Sequence, residues 1–327
     1  MSSLRHRRIH LEWPADTRAA WQPMKPEFAA AVNALSLGMP SGEPYVMQAV
    51  RDAAKDIDDP VLTERVREYL AQEGEHARQH RRFNDILTAQ HPALKRVERW
   101  LGASYRFLQR RAGRKFGIAY AAGFEATAYA AARWMDAHRH ELFRGADETP
   151  ATMILWHLAE EVEHKTVAHD VWAASGGSRL RYVAAMATCF AMLVWFIFLG
   201  TVVQLTAWRR ILSPVAWFRL WKWGIGFAFE VLPTMAITVL PSHHPSQQAD
   251  PAWMMQWLGR YDPETGTIPA WDAPLADVFE FVGIEHRVDR PDSVGADVKG
   301  HGHEDVAVGE RNESGRAIDT SVIHSQL

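Results

Sequence analysis

The chain has 327 residues, 39 acidic against 36 basic side chains, 47% apolar residues, 14 Trp and one Cys. That length suits one large domain or a domain with an appendage, with about two-thirds to three-quarters of the unfolded chain's surface buried. A net charge of −3 gives no global reason to expect nucleic acid, and a lone cysteine, Cys189, excludes both an intrachain disulfide framework and a CxxC zinc site.

Residues 1–25 are basic, then Trp/Pro-rich, and read as an irregular arm. Arg5, Arg7 and Arg8 stand where a signal peptide would need an apolar run. From 26 to about 175 the periodicity is helical, with breaks at Gly38–Gly42, Asp58–Pro60, His91–Pro92, Gly113, Gly145–Pro150 and Gly176–Gly177. Helices joined by such short loops predict an all-α antiparallel bundle.

The strongest signal is a pair of Glu-x-x-His steps. The first, Glu73 to His76, lies in a helix expected to open at Asp59–Pro60, with Asp as N-cap and Pro at N1. At steps of three and four its face reads Leu62, Val66, Tyr69, Glu73, His76, His80, Phe83, Leu87. The second step, Glu161 to His164, lies in a helix expected to open at Thr149–Pro150, on the row Ile154, His157, Glu161, His164, Ala168, Val171. A carboxylate on a core-facing row needs a counter-charge, hydrogen bonds or a metal. The i,i+3 spacing lets Glu and His reach one ion.

Two-metal helical bundles add one Glu from each of two other helices. Glu43 fits, in the first turn of a helix that Ser41 could cap, as does Glu125 on the small-residue row Ile118, Ala121/Ala122, Glu125, Ala128, Ala132. A single Glu-Gly-Glu-His string is commonly just a solvated helix face. Two such steps interrupting apolar rows, with interleaved glutamates, favour a dinuclear site instead. Glu75, Glu160 and Glu163 fall off the rows and are expected at the surface or bonded to ligands.

With these residues in place, the chain resembles the ferritin-like non-haem di-iron proteins. It is similar in particular to the bacterial family called predicted metal-dependent hydrolase, through SLGMPSGEPYVMQAV, QEGEHARQHRRFN and WHLAEEVEHKTVAHDVW. The likeness covers about residues 30–240 and implies a ferritin-like four-helix bundle with additional apolar helices. The run His157-x-x-x-Glu161-x-x-His164 also resembles that of the para-aminobenzoate N-oxygenase group. That resemblance implies Glu43, Glu73, His76, Glu125, His157, Glu161 and His164 as ligands. His157 could instead donate a hydrogen bond to a ligating carboxylate, and His80, one turn past His76, is expected to support a ligand in that way.

Carboxylates and imidazoles without thiolate favour two iron ions, with manganese or zinc also fitting. The expected function is a di-iron oxygenase or oxidase using O₂ on an apolar or membrane-borne small molecule. With no GxGxxG, P-loop or haem signature, its electrons would come from an external donor. The alternative is a di-metal hydrolase of esters or phosphoesters, and a third reading is a non-catalytic metal-binding protein.

No charged residue occurs from Tyr182 to Trp208, a run long enough to cross a bilayer. Trp208, Trp217, Trp221 and Trp223 cluster with Arg209, Arg210, Arg219 and Lys222 like an interfacial belt. A second apolar run over about 224–240 is interrupted by Glu230 and Pro233, so an interface-lying hairpin is as plausible as two crossings. Internal helices packed on the bundle are the alternative. The basic run over 94–115 is read as a solvated face or a contact for anionic lipid. The expected division is an arm at 1–25, a bundle at 26–240 with its apolar extension at 182–240, a looser segment at 241–285 and a disordered tail at 286–327. A cytoplasmic, membrane-associated protein, with a homodimer compatible and no nucleic-acid partner, completes the expectation.

Overall fold

Residues 4–271 are described by a computed structural model. The described residues form eleven α-helices and no strand, so the fold is all-α. In chain order these are α1 (Pro26–Ser36), α2 (Met39–Ala54), α3 (Pro60–Gln90), α4 (Leu94–Arg111), α5 (Arg114–Ala137), α6 (Arg139–Phe143), α7 (Glu148–His164), α8 (Val167–Ala174), α9 (Arg179–Ala207), α10 (Pro214–Ile237) and α11 (Ala252–Leu258).

α3 begins as its sequence dictates: the Asp59 carboxylate accepts from the Val61 and Leu62 amides, and Pro60 needs no partner at N1. Two other boundaries differ from expectation. α2 starts at Met39 with Pro40 in its first turn, so Ser41 is inside the helix rather than its cap, and Pro44 is an interior proline. The helix expected from Thr149 opens at Glu148 and divides into α7 and α8 at Lys165–Thr166. Side-chain bonds hold that break: Lys165 donates to the Gln248 carbonyl, and Arg65 holds Thr166.

The four helices α2, α3, α5 and α7 surround one polar interior, with α2 against α3 and α5, and α7 against α3 and α5. α5 is the central rod, and its small residues permit close approach. A Cβ on Gly123 would lie 2.9 Å from Met186 of α9, so that crossing requires glycine. Similarly, α9 meets α1 where Gly200 faces Ala34.

The N-terminal arm is irregular but packed, with Ile9, Leu11 and Trp21 in the core and Arg7 carried into the polar interior. The described part of the segment expected to be loose is also packed. Trp253 stacks on Trp257 at 5.4 Å, and Trp271 donates to the Phe143 carbonyl. The apolar side chains of these flanking segments cover the bundle, which composition alone did not show. The tail expected at 286–327, and residues 272–285, lie outside the described residues.

α9 lies lengthwise on the bundle. Tyr182, Ala185, Met186, Cys189, Phe196, Gly200 and Gln204 form its buried face against α1 and α5. Among the described residues it is the one helix long and apolar enough to cross a membrane, with a mean hydropathy of 2.2 over an 18-residue stretch. The expected aromatic belt is only partly outward: Trp221 is exposed, whereas Trp208 bonds His91, Trp217 donates to the Ile211 carbonyl and Trp223 is half-buried. Arg210 and Arg219 turn to the buried Glu27.

Candidate metal centre

The seven side chains picked out as ligands converge inside the bundle, all of them buried. Glu43 comes from α2, Glu73 and His76 from α3, Glu125 from α5, and His157, Glu161 and His164 from α7. Glu161 is central. Its oxygens lie 2.8 Å from His157 Nε2, 3.5 Å from His76 Nδ1 and 3.8 Å from His164 Nδ1. On one flank His164 Nδ1 is 2.9 Å from Glu73 and 3.8 Å from Glu125; on the other, His157 Nε2 is 3.8 Å from Glu43. Two potential ligand groups result, Glu73/His76/Glu161/His164 and Glu43/His80/His157.

Hydrogen bonds on the outer side of each imidazole set its tautomer. Asn84 Nδ2 donates to the Ser36 carbonyl, so Asn84 Oδ1 accepts the single Ser36 hydroxyl proton. Ser36 Oγ therefore accepts from His80 Nδ1, and His80 Nε2 must in turn accept from His157 Nδ1. The His157 Nε2 lone pair then faces Glu161 and Glu43. Gln72, whose amide nitrogen donates to Glu163, accepts from His164 Nε2 and leaves Nδ1 facing Glu73. His76 Nε2 bonds Glu160, which leaves its Nδ1 toward Glu161.

Arg7 closes this outer layer, pairing with Glu160 at 3.0 Å and Glu163 at 2.9 Å. Burial raises Glu160 to about 8 even though Arg7, bonded to one of its oxygens, pulls it down. Glu75, bonded to Gln79 and Arg78, is buried too. None of Glu75, Glu160 and Glu163 therefore lies at the surface; Glu160 and Glu163 take the alternative role, bonding His76 directly and His164 through Gln72.

The inner layer lacks such compensation. Both oxygens of Glu43 and of Glu73, one oxygen of Glu125 and one of Glu161, and Nδ1 of His76 and of His164 are buried without a hydrogen-bond partner. Burial, then repulsion between neighbouring carboxylates, raises all four glutamates, Glu73 and Glu161 to about 8. Burial holds His76 and His80 well below the ordinary range and lowers His157 to about 3, so these rings are neutral. Neutral imidazoles and carboxylates with inward lone pairs are the donor set of a carboxylate-rich metal site, and two divalent cations would balance four carboxylate charges. The residues present fit a dinuclear centre.

Sequence reasoning missed Arg7, Ser36, Gln72 and Asn84, and also Tyr69 as the donor that holds Glu125 at 2.7 Å. Tyr69 and Gln72 could have been read from their places beside Glu73; Arg7 carries no local signal. A cavity of about 270 Å³ abuts the cluster at His80, His157 and Glu161, with otherwise mostly apolar walls from α1, α5, α9 and α10. A third group, His169, Asp170 and His244, lies apart from this centre, and there Asp170 already holds Arg65 and His244.

No curated protein and no solved structure matches the chain. A family model matches residues 5–249, which includes every residue of the cluster. The chain belongs to the family described as predicted metal-dependent hydrolase.

Proposed function

We propose that the chain is a two-metal enzyme acting on an apolar substrate seated beside Glu161 and His157. The observation that carries this reading is the inner set of buried, unpartnered carboxylate oxygens and imidazole nitrogens. Unmatched, such a set is costly to bury; as ligands, the same atoms are compensated. Glu43, Glu73, His76, Glu125, His157, Glu161 and His164 would hold the metals, which would polarise a substrate oxygen and lower the pKa of a bound water. The chain's other residues hold the geometry: Ser36 and His80 orient His157, Glu160 orients His76, Gln72 orients His164, and Tyr69 orients Glu125. Mostly apolar walls line the side of the cavity away from His80, His157 and Glu161.

Hydrolysis is the chemistry that the family description favours. The cavity walls are mostly apolar and no Lys or Arg lines them among the described residues, so the body of the substrate is uncharged, and a phosphoester's anion would rest on the metals alone. Oxygen activation is the second reading. The all-carboxylate and imidazole donor set on a helical scaffold supports it, and it requires iron and an external electron donor. Reconstitution separates them. Ester cleavage with zinc or manganese under anaerobic conditions supports hydrolysis, whereas iron-dependent O₂ consumption without such cleavage supports oxidation. Uptake of many ions per chain with neither activity would indicate storage.

A further inference from the structure

α9 and α10 meet near their ends, where Phe198 packs against Trp217 and the Tyr182 hydroxyl bonds Thr238. Between these contacts the cavity runs inward, with Leu193, Phe196 and Ile197 of α9 on one side and Leu220, Trp223 and Phe227 of α10 on the other. Its inner end is the metal-ligand pair His157 and Glu161. Its outer end is marked by Gly224, which lines the cavity and is itself exposed; a Cβ there would meet nothing within 4 Å. Together these residues form a slot from the cluster to the outer surface. Its volume is near the lower end of small-molecule pockets, roughly 300 Å³ and above.

The surface around that mouth is largely apolar, with Lys222 and Glu230 the exposed charged residues of α10. Phe218, Trp221, Ile225, Phe229 and Leu232 follow one another at helical spacing on the outside of α10, all exposed. On α9 the outward residues include Leu180, Val183, Val194, Trp195 and Phe198. Exposed large apolar side chains in this number on two neighbouring helices mark a contact with another phase or partner. Beside it, α4 packs on α9 and exposes Lys95, Arg96, Arg99, Arg106 and Arg110 together with Trp100 and Phe107. Cations flanking exposed aromatic and aliphatic side chains complement an anionic bilayer, with headgroups at α4 and acyl chains at α9 and α10. A second protein chain on this face would seal the mouth, whereas fluid lipid would not. The buried inner face of α9 keeps the helix on the bundle, so contact is lateral.

Resting on the two-metal reading above, we propose that the α9/α10 face rests on an anionic bilayer and that the slot draws one hydrocarbon chain sideways from it. The chain's functional end stops at Glu161 and His157. The substrate class is therefore a single-chain lipid or comparable aliphatic compound with a small uncharged end.

Two measurements on the full chain test this. In calorimetric titration with 1-decanol, the wild type should bind. Gly224→Phe, which fills the mouth, should weaken binding by about tenfold or more, and Gly226→Phe, outside the cavity wall and equally free of neighbours, should not. Absence of wild-type binding, or equal loss in both variants, would overturn the slot. In flotation with phosphatidylcholine/phosphatidylglycerol vesicles, the wild type should float and the doubly substituted Phe218→Glu, Phe229→Glu protein should not, with helical content and metal content kept. A wild type that stays in solution overturns the membrane face, as does a dimer that this double substitution dissociates. Metal content is read on the same samples. Normal metal with no decanol binding defeats this inference alone, and decanol binding without metal defeats only the two-metal reading.

Discussion

His80 and His157 share a buried hydrogen bond between Nε2 of the first and Nδ1 of the second, and its direction is set two residues away by Ser36 and Asn84. Because His80 must accept, His157 presents an unprotonated Nε2 to Glu161 and Glu43. One hydroxyl on α1 thus determines which nitrogen of an α7 histidine carries the proton. Replacing His80 by Ala removes the acceptor. His157 is then expected to lose its fixed tautomer, with metal affinity weakened about 10–100-fold. Competition titration with a chromophoric chelator measures this, and unchanged affinity would show that the His80 bond does not organise the centre.

The inner glutamates and their off-row neighbours should separate cleanly. Glu73→Ala and Glu161→Ala should each abolish stoichiometric metal, because Glu161 lies close to all three imidazoles and Glu73 lies beside His164. Glu75→Ala should retain it, since Glu75 bonds Arg78 and Gln79 outside the cluster. Metal analysis of the three purified variants decides; retention in all three would refute the ligand assignment.

The rows that single out these candidate ligands are legible because a carboxylate or imidazole interrupting a 3.6-residue apolar period stands out against its neighbours. Glu43, Glu73, Glu125 and Glu161 lie on four helices, as that pattern requires. Arg7 was not legible in this way: its partners are more than 150 positions distant, and only the tertiary fold brings the arm across α7. Ser36 and Asn84 look like ordinary polar helix residues until α1 is packed on α3. On α9, apolar residues occur all round, so hydropathy alone could not tell the face on the bundle from the face outside.

Arg7→Ala would leave Glu160 and Glu163 buried without their cation. The expected loss is about 3–5 kcal/mol of stability, typical of removing one partner from a buried ion pair. Urea unfolding of the metal-free protein measures it. A loss below about 1 kcal/mol would mean that the arm is not held as described.

The metal-free protein should lose stability as pH rises from 6.5 to about 8. Burial first, with neighbouring carboxylates second, raises Glu73 and Glu161 from 4.5 to about 8. A group whose folded pKa exceeds its unfolded value binds more protons when folded, so ionisation penalises the fold progressively between those limits. His76, His80 and His157, held neutral in the fold, act with the opposite sign below their ordinary value of 6.5, so thermal midpoints of the chelator-treated protein should fall between pH 6.5 and about 8, and saturating metal should remove the fall. A metal-free profile that rises instead would contradict the carboxylate environment described.

Anomalous diffraction at the iron, manganese and zinc absorption edges tests the centre most directly. Two peaks are expected, one in reach of Glu73, Glu125, His164 and Glu161, the other toward His157, Glu43 and Glu161, with His76 Nδ1 directed at Glu161 between them. Crystals of metal-replete protein with no peak there, or with these seven side chains apart, would contradict the account.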